Sequence, residues 1–502
     1  MGDPKTAGRR NWSRLRAQRG VVLLAAGALL LAGCGGTSSL PALQTDTSAP
    51  SSSSSPPPPP TALGAPANFV PCDGAFQCAT IMVPVDYAQP NGPTVGIGIV
   101  RQPAKDQSRK AGVLLVNPGG PGGSGIDTVE SGQVPAAVAD RFDVIGFDPR
   151  GVGRSNALKC PVGPDSPYYG DPDPGNPAGE ASAEQAVERY DQSCGDTYHQ
   201  LLPHLGTRDV ARDMDSIRNA LGEQQISYLG YSYGTSIGQI YGEMFPQRIR
   251  AMVLDGVVDV TLPGLDPSQA ESFENSLHQF ADDCASRPDC AAGPDPIAML
   301  DRVRARVKAS PLPVAGTTPL SAGLLELGVV LPLYSKGNWP TLAQALKAAD
   351  SGDGGPMRRL AAKYFEGSNS DTYNAVTCLD NSWPRNQEDV LAQARAAEAR
   401  APHFSGNVLV SGLTCADWPV PQDPLTPPTG QGLAPTLVIG TTNDPATPYQ
   451  NSVNLARRLT GSALLTYRGD GHTVYGQGVS CVDDQVNRYL TDLTLPGPNA
   501  TC

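Results

Sequence analysis

Short, nearly continuous apolar runs alternate along this chain with segments whose apolar positions recur at helical spacing. Ala111-Gly-Val-Leu-Leu-Val116, Phe142-Asp-Val-Ile-Gly-Phe147, Ala251-Met-Val-Leu254 and Thr436-Leu-Val-Ile-Gly440 have the form of strands in a sheet covered on both faces. Arg208–Leu221 carries Val210, Met214, Ile217 and Leu221 on one side, as an amphipathic helix does. Ile81–Tyr87 and Thr94–Val100, separated by Gln89-Pro-Asn-Gly-Pro93, predict an antiparallel pair that starts the sheet. A strand at Leu464–Tyr467 and helices near Ser452–Leu459 and Val482–Leu490 close the series, and no internal repeat is apparent. Strand, helix, strand, helix is a parallel α/β order.

From about Asp266 to about Trp418 the pattern changes to helix-like segments with Pro- and Gly-rich joints, at Glu271–Ala285, Ile297–Ala309, Trp339–Ala349 and Glu388–Ala399. The expected organisation is a first core segment over 67–265, a helical cap over 266–418 and a returning core segment over 419–502. With 502 residues, 55 Gly, 49 Pro and 39% hydrophobic content, the chain suits one loop-rich catalytic domain carrying a lid.

The N-terminus reads as an address. Lys5, Arg9, Arg10, Arg14, Arg16 and Arg19 precede an apolar stretch from Val21 to Ala32, which is shorter than the ~20 residues of a membrane-spanning helix. Leu31-Ala-Gly-Cys34 resembles the lipobox of bacterial lipoproteins. The expectation is a lipoprotein signal peptide over 1–33, a lipidated Cys34 and a Ser/Pro-rich tether over 34–66, anchoring an exported protein to the outer face of the bacterial cell membrane. A plain secretion signal with an incidental cysteine, or a single N-terminal anchor helix, are the alternatives. Setting Cys34 aside leaves ten of the 11 cysteines, an even number that favours disulfides behind an export signal over free buried thiols. Cys72 with Cys78 and Cys284 with Cys290 are the simplest pairs. With no C-x-x-C pair and five histidines, no metal site or cofactor is expected. The net charge of -12 excludes nucleic acid as an expected partner, and nothing here speaks to oligomeric state.

Gly230-Tyr-Ser-Tyr-Gly234 joins a β-prone run, Gln225–Leu229, to a helix-like one, Thr235–Phe245, in the manner of a nucleophile elbow. A serine hydroxyl needs an imidazole to take its proton and a carboxylate to orient that imidazole. Asp444 follows a strand in Thr441–Pro448, and His472 lies in Gly469-Asp-Gly-His-Thr473 after the next strand, which is the order Ser, acid, His. Asp255, at the end of the strand after the elbow, is the rival acid, and Asp470 shapes the histidine loop. The other histidines, His199, His204, His278 and His403, read as surface or capping residues. Backbone N–H groups for an oxyanion are expected from Tyr233 and from Gly120 in Asn117-Pro-Gly-Gly-Pro-Gly-Gly-Ser-Gly125. A phosphate-cradling loop is the other reading of those glycines, but no Gly-Lys-Ser/Thr ending follows.

Gly119-Gly-Pro-Gly122, Phe147-Asp-Pro-Arg-Gly-Val-Gly-Arg-Ser155, the elbow, Asp444 and Gly471-His472 together resemble the proline iminopeptidase and tripeptidyl aminopeptidase group of α/β-hydrolase serine peptidases. The likeness spans about Asn68 to Cys502 and is closest to the secreted bacterial tripeptidyl aminopeptidases, including Thr377-Cys-Leu-Asp380 and Thr414-Cys-Ala-Asp-Trp-Pro419. It implies Ser232 as nucleophile, Asp444 as acid, His472 as base, and a cap that admits only a short N-terminal piece of a peptide or protein substrate. An esterase or lipase with the same triad is the alternative. Pro118 stands where proline iminopeptidases carry His, which argues against strict specificity for N-terminal proline. Those enzymes hold the substrate amine with cap carboxylates; Glu271, Glu274, Asp380 and Asp417 are candidates by location alone, beside their reading as solvated or structural groups.

Overall fold

A computed structural model describes residues 62–160, 168, 170–365 and 370–502. The expected signal peptide, Cys34 and most of the tether lie outside the described residues. Among the described residues, no helix is long and apolar enough to cross a membrane.

The strands are β1 (Val70–Pro71), β2 (Gln77–Pro84), β3 (Thr94–Gln102), β4 (Gly112–Asn117), β5 (Phe142–Phe147), β6 (Ile226–Tyr231), β7 (Ile249–Asp255), β8 (Leu437–Asn443), β9 (Ala463–Asp470) and β10 (Ala500–Thr501). They form one sheet in the order β1-β2-β3-β5-β4-β6-β7-β8-β9-β10. β1, β2 and β3 pair antiparallel, β3 pairs antiparallel with β5, and every pair beyond is parallel. The sheet thus opens on the expected antiparallel edge.

Helices α1 (Gly125–Glu130), α2 (Ala136–Ala139), α3 (Pro177–Tyr198), α4 (Thr207–Ala220) and α5 (Tyr233–Met244) precede β7. Between β7 and β8 come α6 (Ser268–Ala285), α7 (Pro296–Ala309), α8 (Ala322–Leu333), α9 (Trp339–Asp350), α10 (Gly355–Phe365), α11 (Ser370–Asp380), α12 (Gln387–Glu398) and α13 (Ser405–Ala416). The last are α14 (Tyr449–Arg458) and α15 (Ser480–Asp492). Both faces of the sheet are covered, which is why its central strands are apolar throughout. In β4, Val113 and Leu115 pack on one face with Met214 and Ile217 of α4 and Ile237 of α5. Leu114 and Val116 pack on the other with Ile126 of α1, Val138 of α2 and Val482 of α15.

The helices between β7 and β8 build a second core of their own, in which Leu324 and Leu327 of α8 meet Phe280, Trp339 and Leu342. A further cluster brings α3 into this layer. Ala183, Val187 and Cys194 on α3 pack with Cys378, Leu409 and Leu413, and Arg395 of α12 pairs with Glu180 at 2.7 Å. Although α3 falls inside the 67–265 segment read as core, the layer above the sheet draws on two insertions, one after β5 and one after β7. Its apolar stripe fits either body equally well, so the pattern alone did not say which one it faces.

All ten described cysteines are paired, as Cys72–Cys78, Cys160–Cys194, Cys284–Cys290, Cys378–Cys415 and Cys481–Cys502. The second and fourth bridges lie in the cluster that holds α3 to α11 and α13.

Candidate active site

Ser232 sits between β6 and α5 with φ 53° and ψ -126°, a conformation that non-glycine residues rarely adopt. The backbone on either side secures it. Its N–H donates to the carbonyl of Asp255 at 2.9 Å, and its carbonyl accepts Thr235 Oγ1 at 2.6 Å. The glycines flanking it are required by close approach. A Cβ on Gly230 would lie 2.4 Å from the Gly234 carbonyl oxygen, and one on Gly234 would lie 2.6 Å from that of Asn117. The turn therefore presses β6, α5 and β4 together and leaves the serine on the outside of the bend.

Asp444 and His472 follow β8 and β9 and come into contact. His472 Nδ1 lies 2.8 Å and 2.9 Å from the two carboxylate oxygens of Asp444. Asp444 also accepts the backbone N–H groups of Ala446 and Thr447, each at 2.9 Å, and Thr447 Oγ1 at 3.1 Å. A carboxylate only accepts, so Nδ1 carries the proton and Nε2 is the free base of the ring. Nε2 is buried and has no hydrogen-bond partner among the described residues. Burial alone would lower the pKa of His472, but the Asp444 carboxylate, with Asp255 further off, outweighs it and holds the imidazole above its ordinary range.

Asp255, the rival acid, does not bond the imidazole. Its carboxylate takes the N–H groups of Val474 at 2.9 Å and Tyr475 at 2.8 Å, and burial pushes its pKa up to about 6 against those two bonds. Asp470 accepts Asn443 Nδ2 at 2.8 Å and pairs with Lys336 at 3.2 Å, bracing the histidine loop.

The glycine-rich loop bends over the elbow. A Cβ on Gly119, whose φ is +99°, would lie 2.5 Å from the carbonyl oxygen of Tyr231 and 2.8 Å from Ser232 Cβ. The Gly119 N–H is taken by Asn117 Oδ1 at 2.9 Å. The N–H groups of Gly120 and Tyr233 have no acceptor among the described residues, and both residues line a cavity together with Ser232. These are the two donors expected for an oxyanion hole, and the engaged Gly119 is not a third. The Phe147–Ser155 motif is the frame behind this loop. Asp148 accepts Ser124 Oγ at 2.6 Å and Arg154 N at 2.8 Å, while the buried Arg150 guanidinium pairs with Asp213 at 2.6 Å.

Two cavities meet at Ser232. One, of about 230 Å³, runs under the helical layer past Tyr233, Asp380 and Asn407. The other, of about 510 Å³, lies on the side of His472, Thr473 and Tyr475. Tyr334, just beyond α8, borders both; its ring stands edge-on to His472 with centroids 5.2 Å apart, and its carbonyl accepts the His472 N–H at 2.8 Å. Neither Tyr334 nor Thr447 stood out in the sequence. Tyr334 lies about 140 residues from His472 in segments without regular spacing, whereas Thr447, three residues after Asp444, could have been found as a local side-chain cap.

The cap carboxylates fall to different uses. Glu271 pairs with Arg400 at 3.0 Å, Glu274 holds His403 Nδ1 at 2.6 Å, and Asp417 accepts Gln387 Nε2 at 2.8 Å. Of the four, Asp380 alone lines the cavity beside Ser232. His199 ends α3, His204 pairs weakly with Asp209 at 3.6 Å, and His278 is exposed near Glu274. None of these three meets Ser232 or Asp444. Among the described residues, the one cluster with metal-ligand spacing is Cys72, Cys78 and Glu130, and its two cysteines are bridged.

The profile of a family described as alpha/beta hydrolase fold matches residues 112–479. The chain is 36% identical over 483 residues to serine protease Hip1 of Mycobacterium tuberculosis, covering 88% of this chain and 91% of that protein. It is 37% identical over 452 residues to carboxylesterase B of M. tuberculosis, with 85% and 86% covered. To the tripeptidyl aminopeptidase of Streptomyces lividans it is 33% identical over 451 residues, with 85% and 83% covered. Among solved structures, a proline iminopeptidase of Mycobacterium smegmatis aligns with a TM-score of 0.37 and 15% identity over 83% of this chain and 99% of that one.

Proposed function

The chain belongs to the α/β-hydrolase fold family, and from that premise we propose that this serine hydrolase is an aminopeptidase releasing short peptides, tripeptides above all, from the N-termini of peptides and proteins. One observation carries the reading. Ser232 stands where a cavity roofed by the helical layer, with Phe273, Asp380 and Asn407 in its lining, meets another beside His472. In acyl transfer the base returns its proton to the leaving group, so the leaving group occupies the His472 side. The acyl part, which for a peptide is its N-terminal piece, then lies under the cap. An acyl side roofed by the cap suits an enzyme that trims chain ends. The names of two relatives, a serine protease and a tripeptidyl aminopeptidase, support it and supply the length of three.

In this mechanism His472 Nε2 takes the proton of Ser232 Oγ as it attacks the scissile carbonyl. Gly120 and Tyr233 N–H groups receive the oxyanion, each worth a few kcal/mol in a water-poor site. The tetrahedral intermediate expels the amine, protonated by His472, and water releases the acyl group by the same steps in reverse. Asp444 keeps the tautomer and balances the imidazolium.

The relative named carboxylesterase B favours a second reading, an esterase on the same triad. Comparing free-amine tripeptide anilides, their N-blocked forms and short acyl esters separates the two. Cleavage of the free-amine anilide with loss on blocking is the expected result; preference for esters and indifference to blocking overturns it. Ser232→Ala is expected to abolish hydrolysis and fluorophosphonate labelling alike. For location, we propose export and a lipid anchor on Cys34, on the strength of the Leu31–Cys34 sequence; Cys34→Ala is then expected to move the protein out of the membrane fraction.

A further inference from the structure

We propose that Asp380, at the end of cap helix α11, is a positioning residue for the oxyanion donor at Tyr233, so that the hole is complete only with the cap seated. Asp380 reaches out of the cap to the first turn of α4. Its two oxygens accept the Thr207 N–H at 3.1 Å and 3.0 Å, and Oδ2 accepts Thr207 Oγ1 at 2.5 Å. Gly206, at the N-cap position just before α4, has no side chain to cap the helix, and a Cβ there would lie 2.8 Å from Asp380 Oδ1. The missing cap comes from another layer of the molecule.

The chain of bonds continues to the elbow. Thr207 Oγ1 lies 2.7 Å from the Tyr233 hydroxyl. Burial, against the Thr207 bonds, pushes the Asp380 carboxyl up to about 7; in its ionised form it can only accept, so the threonine proton then points to Asp380 and the tyrosine donates to the threonine. The order is Tyr233 O–H to Thr207 Oγ1, and Thr207 O–H to Asp380. All three residues are buried. Tyr233 is the first residue of α5, and its backbone N–H, like that of Gly120, has no acceptor among the described residues. Holding its ring at the far end fixes the peptide plane that aims this N–H, and misplacing such a donor by a fraction of an ångström weakens what it gives the transition state. Asp380 also borders the cavity, so amine binding is the competing use of the same carboxylate, and the two uses separate cleanly by substrate.

The inference rests on Ser232 chemistry but not on the substrate being a peptide. The test therefore uses the purified full chain with a short acyl ester that has no amine, and with a fluorophosphonate whose P–O group occupies the hole. Asp380→Asn, Thr207→Val and Tyr233→Phe are each expected to lower kcat on the ester, and the rate of fluorophosphonate labelling, about tenfold with little change in KM. The Asp380→Asn/Tyr233→Phe double variant is expected to be no slower than the slower single, because both break one chain. Thr207→Ser, which keeps the hydroxyl, is expected to stay near the parent rate. Tyr233→Phe removes a single hydroxyl and keeps the test standing where Asp380→Asn does not fold. Unchanged kcat and labelling in folded Tyr233→Phe overturns the proposal. So does an Asp380→Asn effect confined to KM for free-amine substrates, which assigns the carboxylate to amine binding.

Discussion

Asp255 accepts the backbone N–H of Ser232 on its carbonyl oxygen at 2.9 Å, while its carboxylate holds the loop just after His472 through Val474 and Tyr475. One residue at the end of β7 therefore sets Ser232 and the His472 loop relative to each other. Its remaining carboxylate oxygen is buried without a hydrogen-bond partner among the described residues, so its charge acts on what surrounds it.

Asp255→Asn keeps an oxygen able to accept a backbone N–H and removes the charge. Loss of that charge takes away one influence that raises the His472 pKa, so the acidic limb of kcat/KM is expected to move to lower pH. The rate at the plateau is expected to fall by well under the ~100-fold that a 1 Å misplacement costs. A pH profile measured on both proteins decides it, and coincident acidic limbs count against the charge effect.

Asp444→Asn is expected to lower kcat about 10⁴-fold, because an amide at that place favours the wrong tautomer of the imidazole. The ratio between the Asp444 and Asp255 variants reports which carboxylate is the acid. Equal losses would remove Asp444 from that role.

In the proposed mechanism hydrolysis needs neutral His472. Since the imidazole is held above its ordinary value of 6.5, the parent kcat/KM is expected to fall as pH drops, with a midpoint above 6.5 and one proton taken up. A rate that is flat from pH 8 down to pH 5 is incompatible with this base.

Asp191 on α3 is buried with neither carboxylate oxygen hydrogen-bonded among the described residues, and burial, with Asp417 adding to it, pushes its pKa up to about 9. A raised carboxyl pKa means that the native state keeps a proton the unfolded chain gives up. The associated stability is fully present below the ordinary aspartate value of 3.8 and is lost as pH rises toward about 9. Asp191→Asn removes this dependence. Its melting temperature is expected to exceed the parent's at pH 8 by at least about 2 °C, with the gap shrinking at pH 5. Melting curves at the two pH values test it; a gap of constant size points to a cause other than titration.

Gly119→Ala puts a methyl group against the Tyr231 carbonyl and Ser232 in a left-handed conformation. The loop must lift from the elbow and take the Gly120 donor with it. A fall in kcat of about 100-fold or more is expected, with KM less affected. Parent-like kcat would show that Gly120 is not a donor.

Much of this arrangement was legible because it depends on local pattern. Buried parallel strands demand continuous apolar runs, so β4, β5, β7 and β8 declared themselves, and the elbow demands glycine on both sides of Ser232. Helix α8 did not, since a helix buried on all sides has no polar face to give it a period. The choice of Asp444 over Asp255 rested on chain order and resemblance, not on any contact the sequence could show. Both end parallel strands, and only the path of the loop after β9 decides which one meets Nδ1.

By itself the sequence determined the alternation of layers and the order Ser232, Asp444, His472 along the chain, because burial and tight turns impose their requirements on consecutive residues. The tertiary structure decided what each carboxylate does. Glu271 and Glu274 went to Arg400 and His403, Asp255 to the loop beyond His472, and Asp380 to Thr207. A carboxylate takes its role from whichever donors are folded against it, and those donors lie anywhere from two to more than two hundred residues away.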